Sequence, residues 1–159
     1  MANTLVAYFS ASGTTEKVAR DLAKAIGADL YTIAPEVPYT RADLNWNDRG
    51  SRSSQEMGDE SSRPAIAGAL PDVSGYTAVF VGFPVWWYVE PRIVDTFLEG
   101  VDLAGKTVVP FATSGGSGVG RAAERIRSLV PDARVTDGGL LNGRPGAAKL
   151  ATWAKGELR

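Results

Sequence analysis

The segment TLVAYFSASGTTEKVARDLAKAIG, residues 4–27, joins three local patterns that decide the fold. Residues 4–9 form a nearly continuous apolar run rich in valine, phenylalanine and tyrosine, which is typical of a strand buried on both faces of a parallel sheet. A polar loop follows this run. Apolar side chains then recur at helical spacing up to Gly27: Val18, Leu22, Ala25 and Ile26. A strand, a tight loop and a helix in this order indicate the start of a βαβ unit.

The loop between this strand and helix carries hydroxyl groups and no cationic side chain. Gly13 allows close approach of the backbone to a ligand, and four hydroxyl residues surround it: Ser10, Ser12, Thr14 and Thr15. A helix that starts at the end of a strand presents unpaired N–H groups, so the loop predicts an anion site. A P-loop lysine and a three-glycine dinucleotide fingerprint are both absent. A capped turn without a ligand is the alternative interpretation.

Strand and helix patterns alternate along the rest of the chain. Strong strand patterns cover residues 78–83 and 107–111, and weaker ones cover 30–33 and 133–136. Helical patterns follow at 91–100 and 119–130, and a terminal helix is indicated near Trp153. This alternation predicts an α/β fold with a doubly wound five-stranded parallel sheet, order 2-1-3-4-5, and helices on both faces. The polar segment 39–63 is predicted to be a partly helical crossover.

Length and composition favour one domain over residues 1–159, since 44% of the 159 residues are hydrophobic. The net charge of -1 provides no basic field for nucleic acid, so we expect no nucleic-acid partner. Cysteine and histidine are absent, which excludes thiolate chemistry and the commonest metal ligand, and we assign no catalytic residue and no metal site. Because neither a signal peptide nor a transmembrane run is evident, we expect a cytoplasmic protein without a membrane partner.

Two further loops follow the third and fourth predicted strands. The stretch GFPVWWYVEPR, residues 82–92, places Trp86, Trp87 and Tyr88 just outside the carboxyl edge of the sheet. These aromatics suit a planar ring, although an apolar plug or an interface patch is the alternative. The stretch TSGGSGVG, residues 113–120, contains small residues whose backbone can approach a ligand closely, or it simply turns the chain.

Together, the SASGTT, PVWW and TSGGSGVG stretches resemble the flavodoxin family, and the resemblance extends over essentially the whole chain. The resemblance implies FMN as the cofactor, bound where the three loops converge. It implies a phosphate site at Ser10, Ser12, Gly13, Thr14 and Thr15. It implies an isoalloxazine platform at Pro84, Val85, Trp86, Trp87 and Tyr88. It implies contacts to the pyrimidine edge from Thr113, Ser114, Gly115, Gly116, Ser117 and Gly118.

The resemblance implies a redox protein and leaves two functions open. One is an electron carrier that passes electrons through the flavin to a redox partner protein, as its compact size and the first loop favour. The other is an NAD(P)H-dependent quinone reductase, which delivers electrons to a small acceptor at an open flavin face. The lack of an aromatic residue in 113–120 and the nearly neutral charge favour this second function. In either case we expect a monomer or a weak homodimer.

Overall fold

The computed structural model describes residues 3–113 and 118–159. A parallel sheet with helices on both faces forms the molecule, and its strands occupy five positions side by side. The strands are β1 (Thr4–Tyr8), β2 (Asp29–Thr32), β3 (Ala78–Pro84), β4 (Thr107–Thr113), β5 (Arg134–Val135) and β6 (Gly139–Leu140). The helices are α1 (Thr14–Ile26), α2 (Arg52–Gly58), α3 (Arg92–Gly100), α4 (Gly120–Leu129) and α5 (Ala147–Glu157).

The order β2-β1-β3-β4-β5 confirms the predicted topology, and the paired strands are all parallel. In the central register, Val6 lies opposite Phe80, and Phe80 lies opposite Val109. Every residue of β1 is buried, as are nearly all residues of β3 and β4. The continuous apolar runs of the sequence therefore correspond to strands that are covered on both faces.

The sequence predicts a single fifth strand at 133–136. In the structure, two short strands, β5 and β6, pair with β4 at this edge instead. Pro110 of β4 explains the break. The carbonyls of Val108 and Ala112 accept hydrogen bonds from this edge, so Pro110, two residues from each, also faces it. Proline has no N–H to donate, and the edge strand is interrupted at residues 136–138 beside it.

The sheet separates two apolar layers. On one face, Phe83, Phe97 and Ile126 pack in a core that includes residues of α3 and α4. On the other face, Leu22 and Leu150 bring α1 and α5 against the sheet. The predicted helices are all present, and the polar segment 39–63 is partly helical, as predicted, through α2. Among residues 3–113 and 118–159, no helix has the length and apolar character needed to cross a membrane.

Candidate functional site

Thr113, at the carboxyl end of β4, links the start of α1 to the loop after β3 at the carboxyl edge of the sheet. Its hydroxyl lies 2.8 Å from the Thr15 hydroxyl at the start of α1. Its carbonyl accepts a hydrogen bond from the backbone N–H of Val85 at 3.1 Å. Thr113 is buried, so these two bonds join the first helix to the loop after β3. The start of α1, the loop after β3 and the end of β4 therefore lie together at this edge, whereas the loop at 114–117 lies outside the described residues.

The first loop forms a cradle of hydrogen-bond donors. Gly13 adopts a left-handed conformation, with φ of 92°, and its N–H donates to Ser10 Oγ at 3.0 Å. Ser12 and Thr14 are exposed, and their side-chain oxygens lie 3.4 Å apart. No described side chain caps α1, so the N–H groups of its first turn stay available for an anion. Hydroxyls and free N–H groups without a cation suit a phosphate group that is held by hydrogen bonds.

Thr15 differs from the other hydroxyl residues of the loop. Its side chain is only 1% exposed, and the hydroxyl pairs with Thr113. Thr15 therefore fixes the start of α1 against the end of β4. Its contact with a phosphate stays a prediction, as do those of Ser10, Ser12, Gly13 and Thr14.

The loop after β3 contains a tight turn that the sequence did not reveal. Trp86 and Val89 exchange backbone hydrogen bonds of 2.9 and 3.2 Å. Between them, Trp87 and Tyr88 have positive φ angles of 47° and 73°, as in a type I′ turn. Such turns favour glycine or asparagine, and a left-handed conformation costs a bulky residue about 1–2 kcal/mol. Strain of this kind often occurs at binding sites.

The two tryptophans of this turn have different environments. Trp86 is half-buried and contacts Phe9 and Tyr39 edge-on, at ring-centroid distances of 5.7 and 5.5 Å. Trp87 and Tyr88 are 44% and 58% exposed. Trp86 thus anchors the turn, and its contact with a planar ring stays a prediction, as do those of Pro84, Val85, Trp87 and Tyr88. Trp87 and Tyr88 are the side chains available to a ligand, while Pro84 and Val85 are half-buried at the end of β3.

The predictions for the loop after β4 fall largely outside the described residues. Ser114, Gly115, Gly116 and Ser117 lie there, and their proposed contacts with the pyrimidine edge stay predictions. Gly118 is described and exposed, close to the start of α4. Its contact with the pyrimidine edge also stays a prediction.

A buried cluster of charged residues, the acid–arginine cluster of Glu90, Arg92, Asp95 and Arg125, lies directly after the Trp87 turn. Glu90 and Asp95 are fully buried. Arg125 binds both, donating to Asp95 and, at 3.3 Å, to Glu90. Burial, together with the adjacent Asp95 carboxylate, raises the pKa of Glu90 to about 9. This shift favours the protonated form of Glu90.

Sequence reasoning missed this cluster. Its signal is the stretch EPRIVD, residues 90–95, in which an arginine and an aspartate flank two apolar residues at the start of the helix. Charged residues rarely occupy fully buried positions unless they are paired. Residues 92 and 95, which flank the buried Ile93 and Val94, therefore point to buried partners on another element.

Arg92 connects the cluster to the crossover segment. Its guanidinium donates to the carbonyls of Glu56 at 3.3 Å, Asp59 at 3.2 Å and Met57 at 2.9 Å, at the end of α2. This contact holds α2 beside the Trp87 turn. A cavity of about 500 Å³ lies between the two, bordered by Trp46 and Trp87.

Comparisons with known proteins identify relatives of the whole chain. A family model described as flavodoxin matches residues 3–157. A candidate flavoprotein from Bacteroides eggerthii is 48% identical, with a TM-score of 0.94, and the match covers 100% of this chain and 99% of that chain. A flavoprotein from Lactobacillus acidophilus, solved in complex with FMN, is 21% identical, with a TM-score of 0.69, over 85% and 90% of the two chains. The last comparison shows a shared fold. No curated protein matches the chain.

Proposed function

The chain belongs to the flavodoxin family, and on this premise we propose that it binds FMN and transfers electrons through the bound flavin. One observation carries the proposal. The cradle of Ser10, Ser12 and Thr14 surrounds the uncapped start of α1, and the donors that loop residues 10–15 supply are hydroxyl and backbone N–H groups without a full charge. This arrangement fits the phosphate of a mononucleotide. When bound, FMN supplies the redox chemistry.

The remaining residues of the site orient the ligand and shield it. Trp87 and Tyr88 present exposed aromatic rings in the loop after β3, and a planar ring can stack on such a surface. Thr113 fixes the cradle and the turn relative to each other through its bonds to Thr15 and Val85. We assign no described side chain to proton transfer and expect protons to come from water.

Preference for FMN over riboflavin tests the phosphate cradle. Each charge-assisted hydrogen bond to the phosphate contributes about 1.5–3 kcal/mol, so FMN should bind at least about tenfold more tightly in calorimetric titrations. Ser12→Ala should weaken FMN binding and leave riboflavin binding unchanged. Ser74→Ala, at an exposed hydroxyl far along the chain, is the matched control and should change neither. Equal affinities for the two flavins would refute the assignment of the loop.

The exposure of Trp87 and Tyr88 favours a second candidate function, that of an NAD(P)H-dependent reductase for a small acceptor such as a quinone. An exposed platform leaves room for a nicotinamide or an acceptor beside the flavin. Anaerobic mixing of the FMN-loaded protein with NADPH or NADH distinguishes the two functions. Bleaching of the flavin without an added reductase supports the enzyme. A flavin that is reduced only by a partner protein supports the carrier.

A further inference from the structure

The cavity between the crossover segment and the Trp87 turn has a lining suited to a ligand of its own. Its volume of about 500 Å³ is that of a small-molecule site. Trp46 and Met57 line it from the crossover side, and Trp87 lines it from the turn. Trp46 is 69% exposed. Of the predicted FMN-binding residues that the structure describes, only Trp87 borders this cavity, and the hydroxyl cradle does not.

Among the described residues that line the cavity, Arg49 alone is charged. The Arg49 side chain makes no hydrogen bond and no ion pair with residues 3–113 and 118–159. The neighbouring Arg52, in contrast, binds Glu56 at 2.9 Å and the Val37 carbonyl at 2.6 Å, and its guanidinium lies 3.8 Å from the centre of the Tyr39 ring. Arg49 is therefore an available cation beside exposed aromatic rings.

The wall that carries Trp46 and Arg49 is held in place by local bonds. Ser54 Oγ donates to the Asp48 carbonyl at 2.8 Å, and the Ser54 N–H donates to Ser51 Oγ at 3.3 Å. At the other end of α2, Arg92 binds the Met57 carbonyl at 2.9 Å. A preformed wall reduces the entropy that a ligand loses when it orders its site.

We propose that this cavity is a second binding site, which accepts a planar aromatic anion. The aromatic ring packs against Trp46 and Trp87, and the anionic group pairs with Arg49. The described lining residues include no carboxylate to repel it. Because Trp87 also belongs to the proposed flavin platform, the ligand lies next to the flavin, and in that respect alone the inference rests on the proposed function.

Calorimetric titration with naphthalene-2-sulfonate, a redox-inert planar anion, tests the site in the protein without added flavin. We expect it to bind more tightly than the neutral 2-naphthalenemethanol. Arg49→Gln should weaken sulfonate binding by about three- to tenfold, whereas Arg41→Gln, an exposed arginine outside the cavity lining, should leave it unchanged. Trp46→Ala should weaken binding and Trp46→Phe should largely restore it. Equal binding of the neutral probe, or equal effects of the two arginine variants, overturns the proposal.

A second titration, with FMN present at saturation, separates this site from the flavin site. We expect the sulfonate still to bind when FMN is bound, with an affinity that changes by less than about tenfold because both ligands contact Trp87, and Arg49→Gln to leave FMN affinity unchanged. If FMN abolishes sulfonate binding and Arg49→Gln weakens FMN binding, the cavity belongs to the flavin and the proposal is wrong. If the protein does not bind FMN, the proposed function fails, and the titration without flavin still decides this inference.

Discussion

Glu90 makes the stability of the protein dependent on pH. Its side chain is fully buried, and burial beside Asp95 raises its pKa from 4.5 to about 9. Between these two values, the folded protein holds a proton that the unfolded chain has lost. The free energy of unfolding therefore decreases as the pH rises through this window.

We predict that Glu90→Gln removes this pH dependence, because glutamine resembles the protonated acid and does not titrate. In urea unfolding between about pH 5.5 and 8.5, the wild type should lose stability with a slope approaching 1.4 kcal/mol per pH unit at most, while the variant stays nearly flat. Arg63 lowers the pKa of the partly exposed Glu99. The contribution of Glu99 to the free energy of unfolding is therefore constant at every pH above the pKa of this residue in the unfolded chain. Glu99→Gln is the control and should retain the wild-type slope. An unchanged slope in Glu90→Gln would contradict the prediction.

A second prediction concerns the strained backbone at Tyr88, whose φ is 73°. Tyr88→Gly and Tyr88→Ala both remove the ring and its contact with Arg121, 5.2 Å away. Because alanine keeps the steric cost of a left-handed residue, we expect the glycine variant to be more stable by about 1 kcal/mol. At Lys17, an exposed position inside α1, the glycine variant should be the less stable by about 1 kcal/mol. Denaturant unfolding of the four variants measures both differences, and the same sign at both positions would refute strain at Tyr88.

Individual site residues differ in how far the sequence could predict them. The hydroxyls of Ser12 and Thr14 follow a strong strand pattern directly, so their place at the sheet edge could be predicted. The burial of Thr15 could not, because it depends on Thr113, 98 residues away. The left-handed conformation of Trp87 and Tyr88 leaves no mark in the sequence, since neither residue favours it.

Helix α2 depends on contacts with other parts of the chain. It has seven residues, too few to be stable as an isolated helix. Ser51 caps its start, and Arg92 binds carbonyls at its end. The Glu56 and Asp59 carbonyls also accept backbone N–H groups, from Asp59 and Ser62, and Arg92 adds further hydrogen bonds at this end. The stability of the crossover wall therefore depends in part on a side chain of another helix.

We predict that Arg92→Lys loosens α2 selectively. A single ammonium cannot reproduce the three hydrogen bonds of the guanidinium, and bonds to charged groups contribute about 1.5–3 kcal/mol each. Amide hydrogen exchange in residues 52–58 should accelerate by at least about tenfold, while exchange in α1 stays at the wild-type rate. Arg127→Lys, which alters contacts to Val135 and Asp137 instead, should leave α2 unchanged. Equal acceleration in α1 and α2 would indicate global destabilisation and contradict the prediction.

The fifth strand shows where element prediction fails. The pattern at 133–136 correctly indicates a strand, but the second piece, β6, consists of Gly139 and Leu140 and has no strand-like composition. β6 pairs with β4 just beyond Pro110. This pairing joins distant parts of the sequence, so the local pattern could not predict it. The order of the other strands could be predicted because each carries its own apolar run.

For the whole molecule, closing the sheet at β6 also fixes the last helix. Trp153 of α5 packs edge-on against Phe80 in the centre of the sheet, with ring centroids 5.8 Å apart. A Cβ at Gly139 would lie 2.7 Å from the Trp153 ring nitrogen. The edge strand, the terminal helix and the central strand are therefore packed as one unit, so a change at the edge should affect global stability.

Gly138, immediately before β6, allows a direct test of this coupling. Its φ is 73°, and a Cβ there would lie 2.1 Å from the Pro110 carbonyl oxygen. Gly105 has a φ of 76°, but a Cβ at that position would meet no described atom within 4 Å. Alanine at either position carries the conformational cost of about 1–2 kcal/mol. Only at Gly138 does alanine also force the edge strand away from β4, which adds about 1–3 kcal/mol.

We therefore predict that Gly138→Ala lowers the free energy of unfolding by about 2–5 kcal/mol, and Gly105→Ala by about 1–2 kcal/mol. Urea unfolding followed by far-ultraviolet circular dichroism and by tryptophan fluorescence measures both values. If β6 and α5 belong to the same cooperative unit as the central strands, the two signals of Gly138→Ala should still coincide at a lower midpoint. Equal decreases in the free energy of unfolding of the two variants would show that the close approach to Pro110 does not contribute to stability. Separated transitions would show that the edge and α5 unfold independently of the central sheet.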